Sequence, residues 1–113
     1  MTKYRNKKCE YDGFKFDSVK ERDRYIELRF LEHAGKISGL EVHPRFELIP
    51  KQPGEQAAYY TADFAYWDND FKAKTKTRIV EDVKSPATAK AKDYILRRKL
   101  FRQRYPEIEF REV

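Results

Sequence analysis

One cysteine, Cys9, stands among 113 residues. A disulfide within the chain is therefore excluded, and so is a zinc cluster built from its own thiolates. Histidine is nearly as scarce: His33 and His43 are too few and too far apart to suggest a His-based metal site, and both are expected as surface or capping residues. No apolar run approaches the roughly 20 residues needed to cross a bilayer. The opening Met-Thr-Lys-Tyr lacks the apolar core of a secretion signal. A soluble cytoplasmic protein is the expectation, with no membrane partner.

Charge is what the chain has in quantity. Asp, Glu, Lys and Arg make up 39%, yet 40% of residues are hydrophobic and 15% aromatic, enough to fill a core, so the chain reads as folded. Its length suits one domain, residues 1–113, with no repeat, linker or low-complexity tract. The net charge of +6 points to a polyanionic partner, because a positive field concentrates phosphates or anionic lipids around the protein, and composition alone does not choose between them.

The first ten residues form a basic arm with Lys3, Arg5, Lys7 and Lys8, and Asp12-Gly13 then predicts a turn in a short hairpin or extended piece. Ser18 can cap a helix that Gly35 ends, with Val19, Ile26, Phe30 and Leu31 as its apolar stripe. Even spacing of Val42, Phe46 and Leu48 predicts a strand ending near Pro50, with Pro44 pushing any regular pairing to an edge or a start. A second, aromatic-rich strand over QAAYYTADFAYWD follows, and TRIVEDVK returns antiparallel beside it. After Ser85-Pro86, the residues Ala91, Tyr94, Ile95, Phe101 and Tyr105 share the face of a second helix, and EIEFREV suits a last strand. The order is αβββαβ, an α/β fold with a mixed central sheet between two helices.

The stretch RIVEDVKS, residues 78–85, sets charges into an apolar strand. Alternation puts Asp82 and Lys84 on one face and Glu81 on the other, where a solvated or paired carboxylate is expected. A register that sets Asp63 beside Asp82 would join two carboxylates and an ammonium, a constellation suited to a divalent cation and a phosphodiester.

This pattern resembles the PD-(D/E)XK nuclease superfamily, whose motif is an Asp near the end of one strand and an acid-x-Lys on the next. The matching residues are Asp63 and Asp82 to Lys84, with Ala62 where a proline often precedes the aspartate. The phrases YDGFKFDSVKERDRYIEL, YTADFAYWD, VEDVKS and YPEIEFREV look like a small, mostly phage- and prophage-borne group of uncharacterised proteins assigned to that superfamily. The resemblance covers nearly the whole chain. It implies a restriction-endonuclease-like fold and a Mg²⁺-dependent DNA endonuclease, with Mn²⁺ able to substitute, in phage DNA recombination, replication or branch processing inside a bacterial host. It implies metal binding by Asp63, Asp82 and Glu21, with Lys84 positioning the nucleophile. Glu21 also fits a capping box begun by Ser18.

Lys90 and Lys92 at the start of the second helix, Tyr60 near Asp63, and Lys7 and Lys8 of the arm are the candidate DNA contacts. A homodimer would supply two sites for paired cuts. The alternative reading is a non-catalytic nucleic-acid-binding module on the same fold.

Overall fold

The structure is a computed structural model and describes residues 7–113. Lys3 and Arg5 of the expected basic arm lie outside the described residues. β1 (Cys9–Tyr11) and β2 (Phe14–Phe16) form the expected hairpin. Its two-residue turn has positive φ at Asp12 and Gly13 (55° and 82°), the mirror-image turn whose twist matches that of paired strands.

α1 (Val19–His33) starts where Ser18 Oγ accepts the Glu21 N–H at 3.0 Å. It ends in a Schellman motif: Gly35 N–H donates to the Glu32 carbonyl and Lys36 N–H to the Leu31 carbonyl, both at 3.0 Å. The expected apolar stripe is rotated. Tyr25, Leu28 and Glu21 are buried, whereas Ile26 is 39% and Phe30 71% exposed. Ile26 stands one residue from Tyr25, about 100° around the helix, so both cannot face the same core. Tyr25 and Leu28 pack with Phe16, Ile37, Phe64, Tyr66 and Ile79.

The expected first strand is two strands. β3 (Ile37–Val42) ends at His43, whose φ is 55°, and Pro44, which has no N–H to give a ladder, lets the chain leave for β4 (Arg45–Ile49). The aromatic strand is likewise divided, into β5 (Ala58–Thr61), which pairs with β4, and β6 (Phe64–Asp70), which pairs antiparallel with β3. β7 (Thr75–Asp82) returns antiparallel to β6, and β8 (Glu109–Glu112) lies parallel to β7. The main sheet therefore runs β3-β6-β7-β8, mixed in direction, and the molecule is an α/β protein.

The segment after β7 also divides. α2 (Pro86–Ala89) is a single turn capped by Ser85, and α3 (Lys92–Arg104) begins after Lys90-Ala91. The long helix with its basic residues was expected to start beside Lys84; it starts at Lys92 instead, after the separate turn of α2. Tyr94 and Phe101 of α3 pack on Leu48, Tyr60, Ala65 and Val80. Neighbouring residues of β6 and β7 point alternately to the two clusters, which puts α1 on one face of the sheet and α3 on the other. Among the described residues no helix is long and apolar enough to cross a membrane.

Candidate metal centre and acidic cleft

The β6/β7 ladder pairs Phe64 with Glu81 and carries its register on to bring Asp63 opposite Asp82. The continuation is visible in hydrogen bonds. Asp63 N–H reaches the Glu81 carbonyl at 3.2 Å and Asp82 Oδ1 at 3.1 Å, while Val83 N–H donates to Asp63 Oδ2 at 2.7 Å. On the other side of β6 the β3 register likewise runs one step past Val42 and Phe64, and His43 N–H donates to the Asp63 carbonyl at 2.9 Å. Asp63 thus sits where three chain segments leave their ladders together.

The first turn of α1 supplies Glu21, which is 3% exposed. One carboxylate oxygen, Oε1, accepts the Asp17 N–H at 2.9 Å, so Glu21 does cap the helix start, although its partner is Asp17 and not Ser18. The other, Oε2, lies 3.7 Å from His43 Nε2. Ligand atoms of Glu21, His43 and Asp63 fall within 4.8 Å of one another. Ligands facing each other across a Mg²⁺ at about 2.1 Å stand about 4.2 Å apart, so the spacing of this set is close to what such an ion would require. Burial, with the hydrogen bond and charge of Asp63 added, pushes the Glu21 carboxyl up to about 8.

His43 is the residue that sequence reasoning dismissed. Nothing in its spacing from Asp63 or Glu21 marks it. Only the bend at His43-Pro44 and the β3/β6 register carry it to the carboxylates.

Asp82 is fully buried on the α3 face and stands behind Asp63, outside the converging trio. Its Oδ2 accepts the Tyr60 hydroxyl and lies 3.7 Å from Lys84 Nζ. Burial raises its pKa to about 6, against the pull of Lys84 and the Asp63 N–H. The Lys84 ammonium also sits 4.4 Å from the centre of the Tyr94 ring, which holds it between an anion and a π face. Glu21, Asp63 and Lys84 line one cleft of about 140 Å³ with Asp17, Ser18, Lys20, Val83, Ser85 and Thr88. Lys20 Nζ crosses its mouth to the Lys84 carbonyl at 3.0 Å.

Tyr60, expected as a DNA contact, is 3% exposed and spends its hydroxyl on Asp82, so it belongs to the core on the α3 face. Lys7, Lys8, Lys90 and Lys92 are exposed. None of the four lines the acidic cleft. Glu81, on the opposite face, is paired and not solvated: it is 0% exposed and bound by Arg24 and Tyr66. Arg98, which interrupts the α3 stripe, pairs with Glu112 at 3.1 Å.

The chain belongs to the family described as "Protein of unknown function (DUF1064)", whose model matches residues 1–113. No curated protein and no solved structure matches it significantly.

Proposed function

We propose that the protein is a metal-dependent DNA endonuclease with a restriction-endonuclease-like fold. The observation that carries this reading is the meeting of Glu21, Asp63 and Lys84 in one cleft, with Asp82 directly behind Asp63. A mixed sheet with an aspartate just before one strand and an acid-x-Lys at the end of the adjacent antiparallel strand, with a helix on either face, supports it further.

Glu21 and Asp63 would hold the ion, with His43 as the third ligand. A carboxylate-rich set favours Mg²⁺ or Mn²⁺, and one imidazole tilts the balance toward Mn²⁺. When bound, the ion polarises a phosphodiester oxygen and lowers the pKa of coordinated water. Lys84 orients the attacking water and offers its ammonium to the charge that grows on the phosphate. Asp82, 3.7 Å from Lys84 Nζ, keeps Lys84 in place from behind Asp63. Lys7, Lys8, Lys90 and Lys92 contact the DNA backbone away from the cut. Two copies of the chain are needed for simultaneous cuts in both strands of a duplex.

The test is incubation of the purified chain with labelled duplex, single-stranded, flap and four-way-junction DNA in Mg²⁺, Mn²⁺ or EDTA. Cleavage in metal and none in EDTA is the expected result, and the substrate cut fastest defines the preferred structure. Salt-sensitive DNA retention without cleavage in either metal would replace the enzyme with a binding module.

A further inference from the structure

Asp82 and its neighbour Glu81 point to opposite faces of β7, and the cleft chemistry uses only the first of them. Glu81 is nonetheless the most completely satisfied carboxylate near the site. Arg24 lays two guanidinium nitrogens across it, Nε to Oε1 at 2.8 Å and Nη2 to Oε2 at 2.5 Å, and the Tyr66 hydroxyl also donates to Oε2. Arg24 belongs to α1, three residues after Glu21 and on the same side of that helix. The main chain of Glu81 meanwhile accepts the Asp63 N–H. One residue therefore grips the helix that carries Glu21 with its side chain and the segment that carries Asp63 with its backbone.

We propose that Arg24 and Glu81 are positioning residues for the metal centre, a role that rests on the metal-dependent reading above. Stability alone is a poor account of the pair, since a buried ion pair is often no better than well-packed apolar groups of the same volume. What it supplies is direction. Tyr25 and Leu28 press α1 onto the sheet, but apolar contact is non-directional and leaves rotation about the helix axis weakly specified. At about 6 Å from the axis a turn of 10° moves a side chain by about 1 Å, whereas ligand distances must hold within about 0.2 Å. A planar two-point fork from Arg24 removes that freedom, and Lys cannot reproduce it.

The experiment titrates Mn²⁺ into the full chain without DNA and reads free Mn²⁺ by electron paramagnetic resonance, beside a thermal melt of each variant. One variant combines Arg24→Met, Glu81→Leu and Tyr66→Phe, so that no buried polar group is orphaned. The other is Arg24→Lys, which keeps the charge and loses the fork. The triple variant is expected to melt near the parent temperature yet bind Mn²⁺ about tenfold more weakly, the scale of outer-shell effects on metal sites. Arg24→Lys is expected to fall between. Parent-like Mn²⁺ affinity in a folded triple variant overturns the positioning role; should that variant not fold, parent-like affinity in Arg24→Lys does so. Absence of Mn²⁺ binding by the parent chain overturns the metal reading itself, and this role with it.

Discussion

Asp63 and Asp82 stand opposite each other one register step beyond the last paired residues of β6 and β7, joined by the Asp63 N–H on Asp82 Oδ1 at 3.1 Å. Their carboxylates nonetheless turn to different sides: Asp63 to the cleft and Glu21, Asp82 to Tyr60 and Lys84. The two aspartates consequently make separable predictions. Asp63→Asn should weaken Mn²⁺ binding and abolish cleavage together. Asp82→Asn should lower turnover with a smaller change in Mn²⁺ affinity, as measured by titration beside single-turnover kinetics.

Glu21→Gln tests the double duty of Glu21. The amide oxygen can still accept the Asp17 N–H, so the cap survives, while metal affinity falls. The pH dependence has a defined sign. The folded-state pKa of Glu21 is raised to about 8 from 4.5, so the folded chain binds the extra proton between those values and stability declines as pH rises through that window. Asp82, raised to about 6, acts in the same direction between about pH 4 and 6. Denaturant melts from pH 4.5 to 8.5 should show the parent losing stability and Glu21→Gln losing less of it. Equal slopes would remove the burial argument for Glu21.

Tyr60→Phe removes a buried donor from Asp82. A loss of about 1.5–3 kcal/mol in unfolding free energy is expected, the usual scale for a hydrogen bond to a charged group. DNA affinity in EDTA should not change, because the ring is inside the protein. A selective loss of DNA binding would return Tyr60 to the interface.

His43→Ala should weaken Mn²⁺ binding more than Mg²⁺ binding, since imidazole suits the softer ion better. The ratio of the two dissociation constants is the readout. A ratio unchanged from the parent would leave His43 as a bystander to Glu21 and Asp63.

Lys90→Ala with Lys92→Ala should weaken DNA retention on every sequence alike and make the logarithmic salt slope shallower by about 0.9 for each lysine that meets a phosphate. The same measurement on Lys7→Ala with Lys8→Ala decides the contribution of the arm. Unchanged slopes in both pairs would mean that the DNA crosses another face.

What was legible in the sequence follows from locality. The cap at Ser18, the stop at Gly35 and the Asp12-Gly13 turn are set by residues adjacent in the chain, and each appears where its chemistry predicts it. Strand alternation correctly separated Glu81 from Asp82. The breaks at His43-Pro44 and Ala62-Asp63 were missed because the apolar spacing on either side of each continues as though one strand ran through. His43 was missed for a related reason: a register between distant strands brings it to Asp63. The Glu81–Arg24 pair needed the rotation of α1, which Ile26 and Phe30 disguised by offering a more apolar stripe than the one actually buried.

The most direct measurement of the central claim compares the parent chain with Lys84→Ala under single turnover on its preferred DNA, in saturating Mn²⁺ and in EDTA. The account predicts cleavage by the parent in Mn²⁺ alone and a rate about 10²–10³ lower for the variant, the usual cost of losing one transition-state donor. DNA binding and Mn²⁺ affinity should be nearly unaltered. Cleavage by Lys84→Ala at the parent rate, or by the parent in EDTA, would contradict it.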